Sequence, residues 1–222
     1  KKNIRTRSSL LLNLNSYNIL IDTSPDLRNQ LYEAKCTNID SVIFTHIHSD
    51  HTAGLPDMRS MSLINDKIIP AYMPSSMIDS ILSHYKFIFK GFKDYSPFMK
   101  VNSIKDEFFI NGIKINTFKH NHGSIDVQTY RINNFAYSTD LKKFYDNDID
   151  KLKDLDLWIV GLLRDDEHPS HAGFDKIVEY IEYLKPKKTI FTHMTALLDE
   201  KLLKLKCPDN VYPGYDGMEI SL

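Results

Sequence analysis

The sequence predicts a mixed α/β fold (α/β with α+β character), an αββα sandwich with two sheets inside and helices outside. Three observations predict it. Hairpin signals occur in both halves of the chain: Asn15-Ser16 in the first, Asn111-Gly112 and Asn133-Asn134 in the second. Apolar runs of strand length then alternate with segments of helical period. With 222 residues, 42% hydrophobic and 11% aromatic, the chain has the length and apolar content for a sizeable core. One domain over residues 1–222 is therefore expected.

Residues 10–14 and 17–21 read as two strands joined at Asn15-Ser16. Ser24 and Pro25 read as a helix start, because a proline in the first turn sacrifices no intrahelical bond. Leu27, Leu31 and Ala34 give that helix its apolar stripe. Ser41-Val42-Ile43-Phe44-Thr45 reads as a buried strand, and residues 55–64 suit a helix. Residues 68–73 read as a strand. After Pro74, the positions Met77, Ile78, Ile81, Leu82 and Tyr85 have helical spacing, and His84 reads as a surface residue of that helix. Residues 86–100 are rich in aromatics and read as a lid or cap loop.

In the second half, residues 108–118 and 126–138 read as hairpins. Residues 157–160 read as a buried strand, 174–184 as an amphipathic helix stopped before Pro186, and 189–192 as a strand. A short helix and a final strand around residues 218–220 are expected to close the chain. No linker, low-complexity tract or repeat is visible.

Formal net charge is −1, from 28 basic and 29 acidic residues. Nothing in that balance calls for a polyanionic partner, so nucleic acid is not expected. The basic stretches Lys185-Pro186-Lys187-Lys188 and 201–206 read as solvated helix ends and loops. No apolar stretch reaches the length of a membrane span, no signal-peptide pattern opens the chain, and no membrane partner is expected. Cys36 and Cys207 form neither a Cys-x-x-Cys nor a disulfide framework. A reducing cytoplasm is the simplest context. The basic, polar stretch Lys1 to Arg7 reads as the interior of a longer sequence that has lost its first strands.

The densest chemistry lies in Thr45-His46-Ile47-His48-Ser49-Asp50-His51-Thr52-Ala53-Gly54. Three imidazoles and a carboxylate fall within six positions after a buried strand. Alternation along a strand aims His46 and His48 to one side, and the following turn can bring Asp50 and His51 close by. Neutral imidazole and carboxylate suit divalent first-row metals, and two adjacent ligand sets suggest two ions. Three later residues of ligand type, His122, Asp140 and His193, stand at the C-terminal ends of strand-like runs, where loops gather. His120 competes with His122 for the same role.

His-x-His-x-Asp-His after an apolar strand resembles the signature of the metallo-β-lactamase-fold hydrolases. That resemblance implies a four-layer αββα sandwich with a metal site at one edge. It implies that His46, His48 and His122 hold one ion, that Asp50, His51 and His193 hold a second, and that Asp140 bridges them. A shared carboxylate suits two dications roughly 3.5–4 Å apart. A narrower resemblance, to the PhnP-like phosphodiesterase branch, rests on motifs spread along the chain: Arg5-Thr6-Arg7-Ser8-Ser9, Ile21-Asp22-Thr23-Ser24-Pro25-Asp26-Leu27-Arg28, Gly54-Leu55-Pro56-Asp57-Met58-Arg59, Tyr137-Ser138-Thr139-Asp140, His168-Pro169-Ser170-His171 and Tyr215-Asp216-Gly217. The pattern of that branch, with glycine after the histidine, also favours His122 over His120.

This narrower resemblance implies hydrolysis of a small, even cyclic, phosphodiester by a hydroxide bridging two zinc, manganese or iron ions. Asp50 and Asp140 would orient that hydroxide and accept its proton, and His171 would assist the leaving oxygen. A histidine suits that role because its ordinary pKa of about 6.5 lies near working pH. A small phosphodiester is the expected partner, with a homodimer allowed for. Two departures from the branch stand out. A counterpart to its structural zinc site is not expected, because Ala196 occupies one ligand position and no cysteines precede the first hairpin in the chain given, unless preceding residues supply one with a different ligand. Gly161 stands where many relatives carry aspartate. Alternatives are a tRNA 3′-processing endonuclease, a thioesterase or lactonase of the same fold, and a non-catalytic metal-binding module. The full set of ligand residue types speaks against the last.

Overall fold

The first sheet starts at the hairpin predicted around Asn15-Ser16. In the computed structural model, which describes residues 2–146 and 148–222, β1 (Leu10–Leu14) and β2 (Tyr17–Ile21) pair antiparallel with Leu14 opposite Tyr17. Asn15 and Ser16 take φ of 52° and 65°, the positive values that a two-residue turn requires. β3 (Ser41–Ile43), β4 (Ile69–Pro74) and β5 (Met99–Ile104) follow in parallel, giving the order β1-β2-β3-β4-β5. Parallel neighbours need long crossovers. α1 (Leu27–Glu33) lies in the first crossover, and α2 (Ser49–Thr52) and α3 (Met58–Ile64) lie in the second. The third contains α4 (Ser75–His84) and α5 (Lys86–Lys90). Leu20, Leu27, Val42, Phe44, Leu55, Met58, Ile69, Ala71 and Ile81 belong to one buried cluster. Residues Arg7–Lys105 form this compact unit.

Three expectations change here. Ala34 is exposed, so the α1 stripe is Leu27 and Leu31 alone. The 55–64 segment is a 3₁₀ turn, Leu55–Asp57, with Pro56 in its first turn, followed by α3. Residues 86–100 are not simply a loop: they open as α5 and end in β5. Ile88, Phe89 and Phe98 are buried, whereas Phe92 and Tyr95, at the tip between them, are exposed. Of the aromatics there, Phe89 and Phe98 join the core, while Phe87, Phe92 and Tyr95 stay exposed. His84 is exposed at the end of α4, as expected.

The second compact unit is Asp106–Leu222 with the segment ending at Thr6. β6 (Glu107–Ile110) and β7 (Ile113–His122) turn at Asn111-Gly112, both with positive φ. β8 (Ile125–Ile132) and β9 (Phe135–Ser138) continue antiparallel, and the short β10 (Lys143–Phe144) pairs with the far side of β7. β11 (Leu157–Gly161), β12 (Lys188–Thr192) and β13 (Val211–Pro213) add in parallel to β9. The final strand is therefore 211–213 rather than 218–220. β13 ends in Pro213 and lies at the sheet edge, where a missing N–H is tolerated.

α6 (Phe174–Leu184) buries Phe174, Ile177, Ile181 and Leu184 in the cluster around Trp158 and Phe191. Each such side chain contributes about 1.5–3 kcal/mol. Lys185 takes a left-handed φ of 49° directly before Pro186 and ends the helix. α7 (Glu200–Lys206) is capped by Asp199, whose side chain accepts from Lys201 and Leu202 N–H. Two lysines of the basic stretches form ion pairs with aspartates distant in sequence, Lys187 with Asp156 and Lys206 with Asp165. Two sheets, each with its own helices, make up the expected mixed α/β class. No helix of the described residues is long and apolar enough to cross a membrane.

Candidate metal centre

In the first unit the ligand loop is organised by a residue whose part the sequence did not disclose. Asp22 follows β2 directly, is fully buried and has φ 63°. Its Oδ1 accepts the Thr45 N–H at 2.8 Å. Its Oδ2 accepts the Thr45 hydroxyl at 2.7 Å and the His51 Nδ1–H at 2.8 Å. Three bonds satisfy a carboxylate that would otherwise be costly to bury. The Thr45 hydroxyl spends its one proton on Asp22, so at 3.0 Å it accepts from His46 Nδ1. Both His46 and His51 are thereby Nδ1–H tautomers, with Nε2 as the basic nitrogen.

The His46 and His48 ring centroids lie 4.6 Å apart, and those of His46 and His51 4.3 Å apart. His51 Nε2 stands 3.6 Å from Asp50 Oδ2. His46 and His51 are buried, and His48 is exposed at the start of α2. Gly54 closes the loop. Its N–H reaches Thr23 O at 3.0 Å, and a Cβ there would lie 2.0 Å from Ser24 O, so only glycine fits.

In the second unit, three imidazoles converge on one carboxylate oxygen. Asp140 Oδ1 lies 3.4 Å from His193 Nε2 and 3.8 Å from both His122 Nε2 and His171 Nε2. Asp140 Oδ2 accepts the Thr139 hydroxyl at 2.8 Å. His122 is the last residue of β7 rather than a residue beyond it, and its Nδ1 donates to Ser170 O at 2.8 Å. Asp140 and His193 stand just past β9 and β12 with φ of 52° and 59°. Such backbone costs about 1–3 kcal/mol per residue and persists where surrounding structure imposes it.

His120 and His122 are two residues apart on one strand, which by alternation puts both on one face. Hydrogen bonds separate them. His120 is fully buried, with Nδ1 2.9 Å from Thr129 Oγ1 and Nε2 2.8 Å from Thr139 O, so both its nitrogens are held by protein oxygens.

His171 lies on a loop stitched to the Asp140 segment. Ala172 N–H reaches Leu141 O at 2.7 Å, and Lys142 Nζ reaches His168 O at 2.7 Å. His168 and His171 exchange backbone bonds of 3.0 and 3.3 Å. The His171 ring stacks on His193 at 5.7 Å. Burial pushes the His171 pKa down to about 4 despite the opposing pull of Asp140. The ring is therefore neutral near pH 7 and stays neutral to lower pH than an ordinary histidine. His171 and His122 stand at the same distance from Asp140 Oδ1, so His171 has the placement of a ligand as well as that of a proton donor.

The donor set fits divalent ions. His46, His51 and His122 each commit Nδ1–H to a protein oxygen, which leaves Nε2 in the form that coordinates metal. The structure also explains Gly161: a Cβ there would lie 2.8 Å from Asp140 N. Sequence reasoning had no role for Asp22, Thr45, Thr139, Ser170 or Lys142. Asp22, Thr45, Thr139 and Ser170 stand within the sequence motifs, but the motifs do not disclose their hydrogen-bond partners.

Residues 17–194 match the family model described as beta-lactamase superfamily domain. A crystal structure of a diphosphatase from the PhnP family aligns with a TM-score of 0.90 and 27% identity, covering 98% of this chain and 85% of that one. The short form of human tRNase Z aligns with a TM-score of 0.74 and 17% identity, covering 100% of this chain and 95% of that one. An octanoyltransferase from Porphyromonas gingivalis is 31% identical over 97% of this chain and 44% of its own length. The chain spans about 44% of the length of the first curated relatives it matches. Family match, sheet architecture and histidine-aspartate clusters agree: the chain belongs to the beta-lactamase superfamily and has the metallo-β-lactamase fold.

Proposed function

We propose that the chain is a dinuclear metal-dependent phosphodiesterase acting on small phosphodiesters. The observation that carries the metal reading is the anchoring of His46, His51 and His122 through Nδ1. His46, His48 and His122 would hold one ion, Asp50, His51 and His193 the other, and Asp140 both. When bound, such ions supply Lewis acidity and acidify a water at neutral pH. Asp50 and Asp140 orient the attacking water and take its proton. His171, neutral because it is buried, donates an N–H hydrogen bond to the phosphoryl or leaving oxygen. Phosphorus chemistry is favoured by the likeness to the PhnP-family diphosphatase, at 27% identity over 98% of this chain. A net charge of −1 gives no electrostatic grip on tRNA.

A second reading is hydrolysis of an acyl thioester. It is favoured by the 31% identity to part of a protein named for octanoyl transfer. One panel separates the two: bis-p-nitrophenyl phosphate, a cyclic ribose phosphate, a dinucleotide diphosphate, an octanoyl thioester and a precursor tRNA, each with reconstituted protein. Turnover of the small phosphodiesters is expected. Turnover of the thioester alone, or trimming of the tRNA alone, would overturn the proposal.

A further inference from the structure

His120 is a fully buried imidazole, and the proposed chemistry gives it no part. It sits in a chain of polar groups that crosses four strands, β7, β8, β9 and β11. Trp158 Nε1–H donates to Ser138 Oγ at 3.1 Å. Ser138 Oγ lies 3.0 Å from Thr129 Oγ1, which lies 2.9 Å from His120 Nδ1. His120 Nε2 lies 2.8 Å from Thr139 O. Ser138, Thr129, Trp158 and Thr139 are all fully buried. A carbonyl oxygen only accepts, so Nε2 carries a proton whichever way the hydroxyls turn. The ring is gripped at both nitrogens, and the grip ends on the peptide immediately before Asp140. Thr139 then holds Asp140 directly, through its hydroxyl on Oδ2 at 2.8 Å. Asp140 itself has the uncommon φ of 52°, a conformation that its surroundings must impose.

We propose that His120 is a positioning residue. Its Nε2–H fixes the Thr139 carbonyl, and so holds Asp140 with Oδ1 turned toward His122, His171 and His193. This inference rests on the reading of Asp140 as a metal ligand. The role differs from ligation: His120 offers no atom to an ion, and acts through one hydrogen bond to the backbone. Glutamine can place an amide N–H near the position of Nε2 and should substitute for it. Leucine cannot.

The test compares the intact protein with His120→Leu, His120→Gln and Asp140→Asn, titrating each chelator-stripped protein with zinc or manganese alone. His120→Leu is expected to weaken metal binding about 10–100-fold, the range for lost outer-shell partners, with His120→Gln within about threefold of the parent. A folded His120→Leu protein with parental affinity, while Asp140→Asn loses binding, would overturn the inference and leave the metal reading standing. Parental affinity in Asp140→Asn would instead overturn the metal reading on which the inference rests. Should His120→Leu not fold, nitrogen-15 spectra of the parent decide. A proton on His120 Nε2 near neutral pH is expected, and a ring protonated at Nδ1 alone would overturn the inference.

Discussion

Asp22 accepts the Nδ1–H of His51 at 2.8 Å, and both side chains are fully buried. This contact sets which nitrogen of His51 is basic, and through Thr45 the same carboxylate sets His46. One acidic side chain therefore orients two proposed ligands. Asp22→Asn keeps the shape but weakens the acceptor. It is expected to lower metal affinity about 10–100-fold, measured by titrating stripped protein. Unchanged affinity would show that Thr45 and the loop backbone suffice.

Lys142 holds the loop that carries His171. Its ammonium reaches His168 O at 2.7 Å and Glu167 Oε1 at 2.8 Å, while Arg164 reaches Glu167 O at 2.9 Å. A hydrogen bond from a charged group contributes roughly 1.5–3 kcal/mol, here to local rather than global order. Lys142→Met should speed amide exchange at His168 and His171, whose backbones bond each other, and Lys142→Arg should restore protection. Parental exchange rates in Lys142→Met would rule out the clamp.

Stability without metal should depend on pH through the buried imidazoles. Burial takes His120 from the usual 6.5 to about 4, and His171 likewise to about 4. Between those values the unfolded chain binds more protons than the folded one, so stability rises with pH across that window and levels off above it. For His120 alone the amplitude is at most roughly 3 kcal/mol. Urea midpoints of stripped protein should fall from pH 7 to pH 5, and fall less in His120→Gln. A midpoint that does not move between pH 7 and pH 5 would contradict this.

Much of the fold was legible because its signals are local. Asn15-Ser16, Asn111-Gly112 and Asn133-Asn134 are turn chemistry, and the period of 174–184 is helical on its face. What stayed hidden depends on partners distant in sequence. Phe98 reads as loop until the bond from Ile69 N–H to its carbonyl leads into β5. The last strand reads as 218–220 because the parallel partner that makes 211–213 a strand, β12, is some twenty residues away in sequence. In the site, the dense 46–51 motif announces itself. By contrast, Asp22 stands in a motif that gave it no role, because its meaning depends on a threonine and a histidine more than twenty residues away.

Gly161 was visible as a departure but not as a cause. Its Cα faces the Asp140 amide so closely that a Cβ would lie 2.8 Å from that nitrogen. Gly161→Ala should force the 139–140 segment outward, at about 1–3 kcal/mol for the overpacked site, and weaken metal binding with it. Thermal melts with and without metal check both parts. A variant with the parental melting point and affinity would show that the segment yields freely.

The count of bound ions tests the central claim most directly. Elemental analysis of protein reconstituted under saturating zinc or manganese should find two ions per chain. His48→Ala should lose one of them and His193→Ala the other. At most one ion per chain under those conditions would contradict the dinuclear account.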